Sequence, residues 1–298
     1  MKIAVLGVGV IGKVHIKILN KLGIKEPYFL SRTEESGKKT SDYLYNSYGI
    51  RSKYYSSLES LISNGLDGAI ICLPSEFHYE YLIKLFNHKI PVFCEKPLFW
   101  NNCDTYYDVK LKLREISNYK EKILLINTCN NYFIKELKKH ENLIEPIKSF
   151  RFNFFTNGSN RHVNIGVDLL PHALSLLIEL LGNREIKNLK IDDIEPNKYF
   201  CSFTYDKSYI EFDLRESQEI KKKLSFKIND VEYERIQETL DSNYKVSLKN
   251  LKNGNQYYMK DPFEVYMQKF IDTCTNRNSI DVEDSLINFK KMCEIIHG

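Results

Sequence analysis

Apolar positions in the first half of the chain come in short continuous runs, separated by stretches with a helical period. Ile3-Ala4-Val5-Leu6, Ile70-Ile71-Cys72-Leu73 and Ile123-Leu124-Leu125-Ile126 are apolar throughout, as strands covered on both faces require. After the first run, Val14, Ile18, Leu19 and Leu22 fall on one helical face. The pattern predicts strands at 2–6, 27–31, 69–73, 91–94 and 123–127. Helices are predicted at 12–22, 34–48, 57–63, 77–87 and 103–117. Strands alternating with helices in this way specify an α/β fold with a doubly wound parallel sheet.

Beyond about residue 127 the pattern changes. One long helical segment, 167–181, precedes alternating stretches near 199–214, 222–237 and 244–260. Ile210-Glu211-Phe212-Asp213-Leu214 has the inside/outside period of a half-exposed antiparallel strand. Two helices, 262–274 and 282–296, complete the pattern. Two domains are therefore expected, 1–126 and 127–298.

Gly7-Val8-Gly9-Val10-Ile11-Gly12 joins the first strand to the first helix. In that setting the three glycines serve a tight turn, close approach to a pyrophosphate, and close helix–strand packing. Phosphates bind at such a helix N-terminus because its free N–H groups and dipole favour anions. Gly7, Gly9, Val10, Ile11 and Gly12 are thus read as a dinucleotide-binding loop. The second strand ends at Ser31-Arg32-Thr33, where an NAD-binding fold places an acidic side chain on the ribose hydroxyls. Here two hydroxyls and a guanidinium occupy that place. Arginine matches a 2′-phosphate bidentately, so NADP(H) is preferred, with NAD(H) the alternative. Ser31 or Thr33 can at the same time cap the next helix.

Composition narrows the partners. The 298 residues are 43% hydrophobic with a net charge of +4, enough apolar content for ordinary cores and too little basic charge for a nucleic-acid surface. Lys221-Lys222-Lys223 reads as a solvated strand end. Seven cysteines without CxxC spacing imply free thiols in a reducing cytoplasm and no metal site. The apolar stretch after Met1-Lys2 is interrupted by glycines and followed by no cleavage site, so a secretory signal is not expected. No run is expected to cross a membrane.

Cys72-Leu73-Pro74-Ser75-Glu76-Phe77-His78 and Cys94-Glu95-Lys96-Pro97-Leu98 both follow predicted strands, and Gly166-Val167-Asp168-Leu169-Leu170-Pro171-His172 contains Asp-x-x-x-His. With the glycine loop, these motifs resemble the Gfo/Idh/MocA oxidoreductases, the glucose–fructose oxidoreductase and inositol dehydrogenase group. The resemblance implies a Rossmann domain followed by an α+β domain with an open, mostly antiparallel sheet. That sheet often serves oligomerisation, so a dimer or tetramer is expected. Substrates in the family are mainly small polyhydroxylated compounds: sugars, inositols and nucleotide sugars. Other members reduce imines or conjugated double bonds, and a non-catalytic dinucleotide-binding protein is a third reading. Three departures leave the substrate open: many relatives carry an arginine where this chain reads Asn127-Thr128-Cys129-Asn130-Asn131-Tyr132, the glycine-rich segment before Asp-x-x-x-His is here only Asn164-Ile165-Gly166, and Leu-Pro sits inside that element where small residues are common.

By resemblance, Leu73, Pro74, His78, Glu95 and Lys96 lie along the cofactor, and Lys96 also binds the reacting oxygen. X–Pro bonds lose most of their trans preference, so Lys96–Pro97 can be cis. His172 is read as a general acid/base and Asp168, four residues earlier on the same helical face, as its support. Each has a plain structural alternative. Asp168 can cap the helix with Pro171 in its first turn, His172 can be a core histidine, and His78 can serve capping or packing. Arg151, Arg161 and His162 could grip a substrate anion or belong to a solvated strand edge, and Asn131 and Tyr132 are further binding candidates.

Overall fold

The continuous apolar runs become buried strands because helices cover both faces of the sheet they form. The computed structural model describes residues 1–119, 123–143, 145–192, 195–240, 243–277 and 283–298. It divides into two compact units, Met1–Asn127 with Phe263–Glu283 and Thr128–Pro262 with Asp284–Gly298.

The first unit runs β1 (Ile3–Leu6), α1 (Val10–Lys21), β2 (Tyr28–Leu30), α2 (Glu34–Tyr48), β3 (Lys53–Tyr55) and α3 (Leu58–Ser63). It continues through β4 (Gly68–Ile71), α4 (Ser75–Asn87), β5 (Val92–Cys94), α5 (Tyr106–Asn118) and β6 (Leu124–Ile126). Its strands are all parallel, in the order β3-β2-β1-β4-β5-β6. Every residue of β1, β4, β5 and β6 is buried. The order reverses between β1 and β4, and the crevice beyond the carboxyl ends at such a point is where open α/β sheets bind ligands. The sequence pattern predicts no strand over Lys53-Tyr54-Tyr55, because this edge strand is short and only partly buried.

The second unit contains α6 (Asn131–His140), β7 (Ser149–Thr156), α7 (Val163–Leu181), β8 (Ile186–Asp192), β9 (Lys198–Tyr205) and β10 (Ser208–Glu216). Then follow β11 (Lys223–Ile228), β12 (Val231–Leu240), β13 (Asn243–Asn250) and β14 (Gln256–Met259). The last two helices divide between the units. From Phe263 on, α8 (Pro262–Asn276) falls with the first unit, whereas chain order alone assigns 127–298 to the second. From Asp284 on, α9 (Glu283–His297) falls with the second; residue 282, where that helix is predicted to start, lies outside the described residues.

The larger sheet has the order β14-β13-β12-β11-β7-β10-β9-β8, and among the described residues its β7–β10 pair alone is parallel. The expected alternating segments each split into a hairpin. Asp206 and Asn229 take left-handed conformations, φ 56° and 50°, in the turns of the first two. No element is predicted over 149–156, yet β7 lies inside the sheet with Phe150 and Phe152 fully buried. α6 and β8 are likewise absent from the predicted pattern.

Helix α7 packs on β7, β9 and β10. It begins four residues earlier than predicted, so Pro171 lies within the helix rather than in its first turn. Its ring removes the N–H that would reach the Val167 carbonyl. Asn288 on α9 donates to the Pro171 carbonyl at 2.8 Å. By length and composition α7 is apolar enough to cross a membrane, contrary to expectation, but 72% of that window is buried inside the fold. It is the core helix of its unit.

Candidate functional site

At the glycine loop each glycine meets a different constraint. Gly7 has φ +94°, a left-handed conformation, and an added Cβ would lie 2.8 Å from the Cys72 carbonyl oxygen and 2.9 Å from the Leu73 nitrogen. An added Cβ at Gly12 would strike the Gly7 carbonyl oxygen, so the first turn of α1 packs directly on the loop. At Gly9, the residue preceding α1, an added Cβ meets nothing within 4 Å. The first bond of the helix is Lys13 N–H to the Gly9 carbonyl, which leaves the N–H groups of Val10, Ile11 and Gly12 without intrahelical acceptors. No acidic side chain stands in that first turn. An open approach, free donors and the positive helix end together fit a dinucleotide pyrophosphate.

The end of β2 is partly committed to structure. Ser31 is buried, its Oγ 3.1 Å from the Thr33 carbonyl oxygen and 2.6 Å from Ser36 Oγ. Thr33 caps α2 in a capping box with Ser36. Glu34 accepts from Ser56 Oγ at 2.7 Å. Arg32 is exposed at the end of the strand, and it is the one of the three that can turn outward to a phosphate.

After β4 and β5 come Leu73-Pro74 and Glu95-Lys96-Pro97. Pro74 precedes the first residue of α4, and the Lys96–Pro97 peptide is cis. His78 is 2% exposed, with Nδ1 3.0 Å from the Pro97 carbonyl oxygen and Nε2 2.7 Å from that of Leu73. Burial lowers its pKa against the pull of those carbonyls. Both ring nitrogens face the main chain, so His78 ties the two loops together, which is the packing alternative rather than contact with a cofactor.

Glu95 is also turned inward, not along a cofactor. Its Oε1 lies 2.5 Å from Nε2 of the fully buried His15 and accepts from Asn127 Nδ2 at 2.7 Å. Its Oε2 accepts from the Lys96 main-chain N–H at 3.3 Å. Burial raises the carboxyl pKa, but the hydrogen bonds from His15 and Asn127 and the charge of Lys96 outweigh it and hold it below the ordinary value. One carboxylate thus links α1, the end of β6 and the peptide that carries Lys96.

In the second unit, Asp168 and His172 lie on α7, both partly buried. Asp168 does not cap that helix; the capping position is His162, which has φ 52° and makes no side-chain cap bond. The Asp168 carboxyl hydrogen-bonds that of Glu216, the fully buried last residue of β10. Burial, and the neighbouring Asp168 after it, raise the Glu216 pKa against the hydrogen bonds from Asn160. Glu216 also accepts from Asn160 N–H at 2.8 Å and Asn160 Nδ2 at 3.1 Å, and Gly158 leaves it room where a Cβ would collide. The His172 ring stands edge-on to Phe154, with centroids 5.2 Å apart.

The other anion-gripping candidates are occupied elsewhere. Arg151 is exposed and ion-pairs with Glu211, and Arg161 is exposed with Nη1 on the Asn160 carbonyl. Asn131 opens α6, and burial with a hydrogen bond to Glu136 moves the Tyr132 pKa up to about 12. Four residues beside the predicted site escape sequence reading: His15, Asn127, Glu216 and Arg235. Arg235 alone had a local signal, a charge on β12 two residues from buried Tyr233 and so on the same strand face. Among the described residues no cluster of His, Cys, Asp and Glu could hold a metal ion.

Residues 1–115 match the Gfo/Idh/MocA family, an oxidoreductase family with an NAD-binding Rossmann fold. Myo-inositol 2-dehydrogenase of Thermotoga maritima is 29% identical over 104 residues, and the match spans 35% of this chain and only 30% of that protein. UDP-N-acetylglucosamine 3-dehydrogenase from Acidithiobacillus ferrooxidans superposes with a TM-score of 0.72 at 12% identity, covering 99% of this chain and 95% of its own. GenD2 from gentamicin A biosynthesis, solved with NAD, gives 0.73 at 14% identity, covering 99% and 92%. The two structures share the fold, and the expected pairing of a parallel and a mostly antiparallel sheet holds.

Proposed function

We propose, starting from the match of residues 1–115 to the Gfo/Idh/MocA oxidoreductases, that this chain is an NAD(P)-dependent oxidoreductase. It acts on a hydroxyl or carbonyl carbon of a sugar, inositol or nucleotide sugar. The observation that carries the reading is the glycine loop, where Gly7 and Gly12 permit the close packing and Gly9 leaves the helix end open. Arg32, exposed where a carboxylate would select NAD, supports a preference for NADP(H). The relatives named for inositol and nucleotide-sugar dehydrogenation support the substrate class.

When bound, the nicotinamide gives or takes hydride at the carbon bearing the reacting oxygen. Lys96 holds that oxygen and stabilises negative charge on it. His172 gives or takes the hydroxyl proton, and Asp168, four residues earlier on the same helical face and hydrogen-bonded to Glu216, supports it. The half-exposed outer face of the eight-stranded sheet supports homo-oligomer formation. Seven free cysteines support a cytoplasmic location.

Lys96→Ala and His172→Ala are expected to lower turnover at least about a hundredfold, the scale of one general acid/base or oxyanion group, while NADPH binding survives. Wild-type turnover by both variants would overturn the site. Turnover of an imine with no activity on any sugar or inositol would select the imine-reductase alternative.

A further inference from the structure

Arg235 is the one charge in a row of apolar side chains on the face of the larger sheet that carries Phe154. Leu214, Phe154 and Leu224 stand in register across β10, β7 and β11, and Arg235 faces Leu248 across β12 and β13. Leu214, Leu224 and Leu248 are at most 1% exposed. The guanidinium lies 5.7 Å from the centroid of Phe154, the same ring that His172 meets edge-on. Among the described residues the Arg235 side chain makes no hydrogen bond or ion pair. Burial lowers its pKa against the opposing influence of Tyr244, Cys129 and Asp261. A partly buried cation without a hydrogen-bonded counter-charge costs stability, and folded proteins rarely keep one without a use.

Resting on the oxidoreductase reading of this site, we infer that Arg235 is the anion-binding residue of the substrate pocket and that the substrate carries a carboxylate or phosphate besides its hydroxyls. A guanidinium offers a planar fork of donors that matches either oxyanion with two parallel hydrogen bonds. Phe154 buttresses it through its ring face, which fixes the fork while leaving the outer N–H groups for ligand. His172 meets the same ring edge-on, so an anion held by Arg235 sits within one sugar's reach of the proposed proton carrier. Of the arginines that sequence alone offers for this role, Arg151 ion-pairs with Glu211 and Arg161 is exposed on the Asn160 carbonyl.

Calorimetric titration of the protein saturated with NADPH tests this with three probes: glucose, glucuronate and glucose 6-phosphate. Wild type is expected to bind at least one anionic probe tenfold or more tighter than glucose, and the favoured arm tells carboxylate from phosphate. Arg235→Met is expected to erase that preference, while Arg235→Lys, which keeps the charge and loses the fork, retains part of it. Matching melting curves of the lysine variant and wild type guard against a folding defect. The inference falls if neither anion is preferred over glucose, or if the preference survives in Arg235→Met. Arg235-dependent anion binding without any hydride exchange would uphold the anion site and overturn the oxidoreductase reading. Turnover of a neutral sugar or inositol, unchanged in Arg235→Met, would do the reverse.

Discussion

Glu95 shows how one buried side chain organises chemistry it does not perform. Its carboxylate accepts from Asn127 and from the Lys96 main chain and pairs with His15, so a change there reaches α1, β6 and the Lys96 loop together. A glutamate whose folded pKa is lowered contributes stability above its unfolded value and loses it as pH falls through the folded one. Glu95→Gln is therefore expected to cost about 3 kcal/mol at pH 7, the scale of breaking a buried pair, and progressively less below about pH 4. Urea unfolding from pH 3 to 8 checks this, and a difference independent of pH would contradict it. The residue scale is also where sequence was least legible. His15 follows Gly12 by three positions and reads as an ordinary helical residue, because its partner is eighty positions away. Glu216 and Asp168 likewise meet only through the fold.

The glycine loop works as an element, and its three glycines separate folding from binding. An added methyl at Gly12 collides with the Gly7 carbonyl, whereas at Gly9 it enters open space at the start of α1. Gly9→Ala is thus expected to keep the wild-type melting temperature while weakening NADPH binding tenfold or more, because the methyl takes the phosphates' approach. Gly12→Ala is expected to lose both stability and binding. Equal melting and equal binding in both variants would show that the loop holds no pyrophosphate. This element could be read in advance because strand, turn and helix lie within twenty residues of one another. Helix α7 could not be read so well. Its start at Val163 has no side-chain cap to mark it, and Pro171 suggested a first turn where the structure has an interior.

At the scale of the whole molecule, the parallel sheet was nearly complete in the sequence, since strands covered on both faces leave continuous apolar runs. The second sheet was legible as alternation but not as strand count. Each expected segment concealed a hairpin turn, and β7, with Phe154-Phe155 breaking its period, carried no clean pattern. The division of α8 from its neighbours depends on packing across the whole chain, which no local period records. Across all three scales the account rests on a bound dinucleotide, and fluorescence titration of the purified protein with NADPH and NADH tests that most directly. Saturable binding, tighter for NADPH, is the predicted result. Binding of neither dinucleotide would contradict the account at its base.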